Sequence, residues 1–215
     1  MSAADRREAI LDAALDAFAK SGFHETSLDD VARTAGISKA LIYEHFDSKQ
    51  ALFDALLETY IAELMERVLT SVAQVEMAED RLLAGLDGFF AFVEERREAW
   101  RLLIRHAAGA GITTTFERMF EEIADVIGAL MAEEMPASAS PEGIDFDLAV
   151  AAMARQLLGS IRALADWWDE HREITRPQIL AMVMEFGWVG MERAVAGERW
   201  TRPDRAPLRS TPRAG

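Results

Sequence analysis

Apolar residues recur at intervals of three and four along almost the whole 215-residue chain, and the alternating patterns typical of strands are almost absent. Ile10, Leu11 and Phe18, for example, fall on one stripe of a helix predicted over residues 6–20. Half of the residues are apolar, which is enough to form a core in a chain of this length. The periodicity therefore predicts an all-α fold.

The predicted helix over residues 38–46 is too short to be stable alone, because helix nucleation is costly. It follows a second short helix, residues 27–35, and Gly36 between them can adopt the positive φ of a tight turn. Two short helices joined in this way form a helix-turn-helix. If these two helices pack on the first helix, Tyr43 is exposed on the second of them. A helix presented in this way fits the DNA major groove.

Longer helical patterns fill the rest of the chain up to about residue 196. The predicted helices cover residues 49–75, 80–106, 114–135, 145–170 and 177–196. A loop rich in Pro, Ser and Gly separates two of them at residues 136–143. From residue 201 the chain has four Arg and three Pro without a core pattern, which predicts a disordered tail over 201–215.

The net charge of −14 would disfavour nucleic acid as a partner if it were spread evenly. Residues 1–50, however, hold six Lys and Arg against nine Asp and Glu, and residues 199–215 hold five Arg against one Asp. The acidity therefore lies mostly in the middle of the chain. The segment with the helix-turn-helix pattern is close to neutral.

Several classes of function lack their sequence signals. There is no cysteine, which excludes thiol catalysis and thiolate metal sites, and no two of the four histidines are four residues apart. We find no nucleophile–base pair, phosphate-binding loop or HExxH motif, so we expect no enzyme activity, metal or cofactor. No signal peptide pattern and no apolar run approaching about 20 residues is evident, which predicts a cytoplasmic protein without a membrane partner.

The run TSLDDVARTAGISKALIYEHFDSKQALFDAL, residues 26–56, resembles the DNA-binding domain of the TetR family of transcriptional regulators. The positions that fall in family register are Thr26, Ala32, Ala35, Gly36, Ser38, Tyr43, Phe46, Lys49 and Leu52. The resemblance implies a helix-turn-helix DNA-binding domain over residues 1–48. It also implies a helical-bundle domain over residues 49–200 that binds an effector and forms a dimer.

The resemblance further implies contacts with double-stranded DNA at nine positions. These are Thr26, Ser27, Ser38, Lys39, Ala40, Leu41, Tyr43, His45 and Lys49. Tyr43 and Lys49 would hold phosphates, with Thr26 or Ser27 doing the same at the start of the second helix and His45 close by. Residues 38–41 would touch bases or the sugar-phosphate edge. Ala40 and Leu41 replace residues more common in the family, which leaves the base preference open.

One protomer carries few cations near this motif, and three or four phosphate contacts would bind DNA only weakly. We therefore expect a homodimer on a pseudo-palindromic operator. In the family the last two long helices pair across a twofold axis. The implied interface draws on Leu157, Leu158, Ile161, Leu164, Trp168, Met182, Phe186, Val189 and Ala194. One residue of the pair Trp167–Trp168 is expected to pack internally.

Family members also enclose a small-molecule cavity between the later helices. Most aromatic residues there are predicted to be core, and the candidates for the cavity lining are Trp100, His106, Phe116, Phe120, Met153 and Gln156. The resemblance implies a ligand-responsive regulator, most often a repressor, released from DNA by an apolar or amphipathic effector. Two alternatives remain open at this point: an enzyme built on the helical domain, and a helix-turn-helix that mediates protein contacts.

Overall fold

A computed structural model describes residues 2–107, 113–137, 140 and 143–196. The described residues form helices and connections without a strand, as expected for an all-α fold. In chain order they are α1 (Ala3–Glu25), α2 (Leu28–Ala35), α3 (Lys39–Tyr43), α4 (Lys49–Val72), α5 (Ala78–Glu95), α6 (Arg97–Ala107), α7 (Thr113–Glu134), α8 (Phe146–Glu170), α9 (Arg176–Val183), a π-helical segment (Met184–Trp188) and α10 (Val189–Val195). The tail from residue 201 lies outside the described residues.

Serine side chains cap all four N-terminal helices, and at the start of α1 the Ser2 hydroxyl accepts a hydrogen bond from the Asp5 N–H at 3.1 Å. The hydroxyls of Ser27, Ser38 and Ser48 accept hydrogen bonds from the backbone N–H three residues later, at the starts of α2, α3 and α4. Each such bond satisfies an N–H that has no partner inside its helix. The predicted starts of α2 and α3 are confirmed, with Ser27 as the cap of α2.

The turn between α2 and α3 depends on Gly36, whose φ of 66° and ψ of 30° are left-handed. The Gly36 N–H donates to Arg33 O at 3.3 Å, and the Ile37 N–H donates to Ala32 O at 3.0 Å. These bonds close the end of α2 and let α3 start two residues later. The predicted tight turn at this glycine is confirmed.

The three N-terminal helices share one core with the start of α4. Ile10, Phe18, Val31 and Ile42 are at most 1% exposed. The ring of Phe53 on α4 packs edge-on against Phe18 with centroids 5.0 Å apart. Because α4 also packs against α5, it links the helix-turn-helix to the remaining helices. The core continues without interruption into α5, α6, α8 and α9.

Two predicted helices are interrupted. The helix predicted over 80–106 is two helices, because the backbone at Arg96 leaves the helical region with φ −114° and ψ 42°. The Arg96 side chain reaches Glu63 on α4, with Nε to Oε1 at 3.0 Å. After this break, α6 packs on α1 instead of following α5 along α4. The helix predicted over 177–196 likewise contains the π-helical segment Met184–Trp188.

The helix α8 is long and apolar enough to cross a membrane by length and composition alone. The expectation that no such segment exists was therefore too strong. In the fold, α8 packs along α7 and joins it through Arg155 and Glu121, whose Nη2 and Oε2 form an ion pair. Its apolar residues are thus used, at least in part, in packing between helices.

Trp167 and Trp168 near the end of α8 have different surroundings. Trp168 is 1% exposed, lies 5.5 Å from the Phe90 ring, and donates its Nε1–H to Ile174 O at 2.8 Å. Trp167 is 41% exposed and stacks on His171. One of the two packs internally, as expected. Trp168 was wrongly assigned to the dimer interface, because its side chain is in the core of its own protomer.

Candidate nucleic-acid interface

Helix α3 has one buried face and one solvent-facing face. Ile42 is fully buried and fixes the helix on α1 and α2. Ser38, Lys39, Ala40 and Tyr43 are exposed, the last of them at 51%. A rigid helix that presents short polar side chains and one large aromatic hydroxyl can read base edges and hold phosphates. Four of the nine predicted contact residues therefore share one open surface.

Leu41 and His45 lie at the margin of this surface and are both half-buried. The His45 ring lies next to the Phe46 ring, with centroids 6.4 Å apart. Phe46 is itself buried, and the guanidinium of Arg7 on α1 lies 5.3 Å from its centroid. The end of α3 is thus anchored to α1, which leaves these two side chains only partly available to a ligand.

Lys39 forms an ion pair with Asp29 on α2, with Nζ to Oδ2 at 2.8 Å. The hydrogen bond to Asp29 raises the pKa of Lys39 above its ordinary value. The two side chains are 44% and 61% exposed, so water and salt screen this ion pair strongly. A phosphate can therefore replace the Asp29 carboxylate at small energetic cost.

Ser27 and Asp30 form a reciprocal cap at the start of α2. The Ser27 hydroxyl accepts from the Asp30 N–H at 3.2 Å, and the Ser27 N–H and hydroxyl donate to Asp30 Oδ2 at 3.0 and 2.6 Å. The Ser27 hydroxyl bond, the Ser27 N–H bond and the nearby Arg33 lower the pKa of Asp30 to about 2. The Ser27 side chain is exposed but already engaged within the helix.

Thr26 has a different position from the one its sequence context suggested. Its side chain is 2% exposed, and its hydroxyl donates to Gly22 O at 2.7 Å and Ala17 O at 3.1 Å. These bonds tie the connection between α1 and α2 to the end of α1. The hydroxyl therefore faces the protein interior instead of the surface formed by α3.

Lys49 also faces the protein. Its Nζ donates to the carbonyl oxygens of Phe23 at 2.8 Å, Thr26 at 3.0 Å and His24 at 3.2 Å. The same ammonium lies 4.5 Å from the centroid of the Phe23 ring. An ammonium has three donors, and all three are used here. Lys49 thus clamps the start of α4 onto the connection between α1 and α2.

This clamp is the feature that sequence reasoning missed. We define the Lys49 clamp as Lys49 with the carbonyls of Phe23, His24 and Thr26. Its acceptors are backbone atoms, which leave no signature in the identity of the side chains that carry them. The only sequence signal is an aromatic residue, Phe23, which is able to cover an ammonium.

The candidate effector residues whose side chains the structure describes differ in exposure. Trp100 is 1% exposed and packs edge-on against Phe89 at 5.3 Å. Phe120 and Met153 are half-buried, whereas Gln156 is exposed. The side chains of His106 and Phe116 lie outside the described residues.

Two other cavities lie elsewhere in the described part of the fold. One, of about 380 Å³, lies between α1 and α6. The other, of about 270 Å³, lies between α8 and the helix formed by α9 and the π-helical segment. Neither is lined by any of the six candidate effector residues. The described residues contain no group of His, Asp and Glu suited to a metal ion.

Comparison with known families assigns both halves of the chain. Residues 10–56 match a family described as bacterial regulatory proteins, tetR family. Residues 78–190 match a family described as tetracyclin repressor-like, C-terminal domain. The first match covers most of α1, all of α2 and α3 and the start of α4, and the second extends from α5 to the start of α10.

Individual relatives agree with these matches. The HTH-type transcriptional activator FasR of Mycolicibacterium smegmatis is 25% identical over 189 residues, which is 87% of this chain and 83% of FasR. A TetR-like transcriptional regulator from Rhodococcus sp. RHA1 has 29% identity and a TM-score of 0.70, over 89% of this chain and 98% of that one. The transcriptional regulator FadR from Bacillus subtilis, solved with stearoyl-CoA, has 16% identity and a TM-score of 0.68, over 89% and 99%.

Proposed function

This chain belongs to the TetR family of transcriptional regulators, and on that premise we propose that it is a ligand-responsive repressor that binds a pseudo-palindromic operator as a homodimer. TetR-family proteins are regulators and not enzymes. The proposed location is the cytoplasm, where the operator is. The observation that carries the proposal is the exposed surface of α3, with Ser38, Lys39, Ala40 and Tyr43 held outward by the buried Ile42.

Residues of the α3 surface differ in their proposed roles. Tyr43 and Lys39 bind phosphates, because a phenolic hydroxyl and an ammonium are both donors to phosphate oxygens. Ser38, Ala40 and Leu41 face the bases or the sugar edge, and the Leu41 side chain can contact a thymine methyl group. His45 and Ser27 lie at the margin of the interface as phosphate neighbours. Leu41 and His45 supply less contact area, since both are half-buried.

Thr26 and Lys49 take positioning roles in this proposal. Their side chains hold the connection between α1 and α2 through three carbonyls and two hydroxyl bonds, so they set where α2 and α3 sit on α4. Contact with a phosphate at these two positions would come from backbone N–H groups at the helix starts, where the helix dipole favours an anion.

The homodimer is proposed to form through α8 and the last helix. Exposed and uncharged residues follow one another along α8 at Gln156, Gly159, Ser160, Ala163 and Trp167. The facing helix exposes three large apolar side chains, Met182 at 48%, Phe186 at 78% and Val189 at 48%. An uncharged surface with exposed large apolar residues is typical of a protein interface. Leu158 and Leu164 border it, and the Ala194 side chain lies outside the described residues.

The proposed effector is apolar or amphipathic. FadR, which has the same fold, was solved with stearoyl-CoA, an amphipathic ligand, and this supports the class of effector for the present chain. Release from DNA requires that the effector bind more tightly to protomer arrangements in which the two α3 helices no longer match successive grooves. Trp100, Phe120 and Met153, together with His106 and Phe116, remain the proposed lining; Gln156 is at its solvent edge.

The sign of regulation is a separate part of the proposal, since FasR is named an activator. Repression requires only that the bound dimer cover promoter DNA. A reporter gene placed behind the chain's own upstream DNA should be expressed more strongly when the gene for this protein is deleted. Lower expression after deletion would reverse the sign and leave the DNA-binding proposal intact.

Direct binding of DNA is tested by fluorescence anisotropy with a duplex from the upstream region. Tyr43→Phe removes a hydroxyl donor and Lys39→Met removes an ammonium, and each should weaken binding about tenfold, as expected for loss of one phosphate contact per protomer. Arg172→Met is the control for lost charge, because Arg172 is an exposed residue beyond the end of α8. If Lys39→Met and Arg172→Met have equal effects, the α3 surface is not the contact surface.

A further inference from the structure

The cavity between α1 and α6 lies where the helix-turn-helix meets the C-terminal helices. Its lining consists of Asp16, Ala19 and Lys20 from α1 with Glu98, Arg101 and Leu102 from α6. We call it the junction groove. Its volume of about 380 Å³ is near the lower end of the range of about 300–1,000 Å³ typical of small-molecule sites. A ligand the size of an amino acid fits this space, whereas a long acyl chain with a nucleotide exceeds it.

Each wall of the junction groove carries one acidic and one basic side chain. Asp16 and Lys20 lie on α1, and Glu98 and Arg101 lie on α6. Within the described part of the chain, Asp16, Lys20 and Glu98 form no ion pair. These three charged side chains therefore line an open space without forming ion pairs across it.

The fourth charged residue of the junction groove, Arg101, is held in place by an ion pair. Arg101 donates from Nε to Asp169 Oδ2 at 2.5 Å, and Asp169 also pairs with Arg97 at 3.3 Å. Asp169 is 7% exposed, so this end of α8 anchors the guanidinium through a nearly buried carboxylate. The planar guanidinium has five N–H donors, and its bond through Nε leaves donors for a second partner. The groove thus has a preorganised cation on the α6 wall.

We propose that the junction groove binds a small zwitterion that carries both an ammonium and a carboxylate group. Arg101 and Lys20 bind the carboxylate, Asp16 and Glu98 bind the ammonium, and Leu102 with Ala19 contacts the carbon skeleton. Ligands with a single charge would leave two like-charged side chains facing each other without a partner. The site is distinct from the effector cavity proposed among the later helices, because none of its lining residues is shared with it.

A ligand bound in the junction groove would affect DNA binding by changing the spacing between α1 and α6. The ligand contacts α1, which carries α2 and α3 through the shared core, and α6, which belongs to the C-terminal helices. A molecule that bridges both walls binds most tightly to one spacing of α1 and α6, so it favours the arrangements of α3 that go with that spacing. The junction groove is therefore a second regulatory site, separate from the effector cavity proposed among the later helices.

The test is isothermal titration calorimetry on the free full-length protein. The probes are the zwitterions L-glutamine, L-leucine, L-lysine and glycine betaine, with acetate and methylammonium as single-charge controls. At least one zwitterion should bind once per chain with a dissociation constant of about 1 mM or lower. Acetate and methylammonium should each bind at least tenfold more weakly.

Charge reversal on one wall locates the site. Lys20→Glu and Glu98→Lys should each weaken binding of the same zwitterion at least tenfold. Arg172→Glu, which makes the same charge change as Lys20→Glu at another exposed position, should not alter it. Circular dichroism of each variant checks that the helices are retained. Absence of binding by every zwitterion, or binding that Lys20→Glu and Arg172→Glu change equally, would overturn the proposal. The measurement contains no DNA, so neither result bears on operator binding.

Discussion

Replacing Lys49 by Met removes the ammonium of the Lys49 clamp and keeps a long flexible side chain. Three hydrogen bonds from one charged donor are lost, at 2.8, 3.0 and 3.2 Å. Hydrogen bonds that involve a charged group contribute about 1.5–3 kcal/mol each, without adding fully. The acceptor on His24 is exposed and can bind water instead, whereas those on Phe23 and Thr26 are partly buried.

We therefore expect Lys49→Met to lower the free energy of unfolding by about 2–4 kcal/mol. Since 1 kcal/mol shifts the melting temperature by about 2–4 °C in a chain of this size, the Tm should fall on the order of 10 °C. Urea denaturation followed by circular dichroism measures the free energy of unfolding, and thermal denaturation followed by the same signal measures the Tm. Gln50→Met is the matched control, because Gln50 is exposed and its amide donates to Asp54 on the same helix.

The same variant separates a clamp from a phosphate contact. A lysine that binds phosphate contributes about 0.9 to the slope of log affinity against log salt for each contact. Loss of the clamp should weaken DNA binding while the slope remains that of the unsubstituted protein. If Lys49→Met leaves the Tm unchanged and lowers the slope by about 2 for a dimer, the assignment of Lys49 as a positioning residue is refuted.

Three further outcomes follow from the N-terminal half of the fold. Gly36→Ala should cost about 1–2 kcal/mol of stability in urea denaturation, because a φ of 66° strains any residue with a Cβ; an unchanged midpoint would contradict this. Burial raises the pKa of Tyr60 to about 12, so its stability contribution should be lost between about pH 10 and 12. Tyrosinate absorbance in Tyr43→Phe, which leaves one tyrosine, checks it; titration of Tyr60 at its ordinary pKa would contradict it. Because the folded pKa of Asp30 is lowered to about 2, its contribution should be present above about pH 4 and lost as the pH falls to about 2; Asp30→Asn should flatten the acid limb of the unfolding curve, and an unchanged limb would contradict the assignment.

Local signals in the sequence predicted the helix starts well. The hydroxyls of Ser27 and Ser38 accept hydrogen bonds from N–H groups only three residues later in the chain. The identity of the serine therefore predicts where each helix starts. Gly36 was similarly predictable, since few other residues adopt its conformation. The buried positions of the first three helices also followed from spacing, because one stripe on each helix has to be buried.

Features that depend on partners distant in sequence could not be predicted. The apolar periodicity continues across the break at Arg96, so it gives no sign that the helix ends there. The Arg96 side chain contacts Glu63, which is 33 residues away in the sequence. The family resemblance implied phosphate contacts for Lys49 and for Thr26 or Ser27. Their side chains instead bond to carbonyls of the chain, and every residue type offers such a carbonyl.

The junction groove illustrates the same difficulty for a binding site. Its two walls come from residues about eighty positions apart, and each wall alone looks like an ordinary charged helix surface. Only the packing of α6 on α1 brings Lys20 near Arg101. The candidate effector residues illustrate a related difficulty. Trp100 and Gln156 were both candidates for one cavity lining, but Trp100 is buried and Gln156 is exposed.

Selection of genomic DNA fragments by the purified protein, followed by sequencing, tests the central claim most directly. If paired α3 helices enter successive major grooves, the retained fragments should share an inverted repeat whose half-sites lie about one helical turn, roughly 10 bp, apart. Retention of no fragment at low ionic strength, or of fragments that share only a single unpaired half-site, would contradict the account.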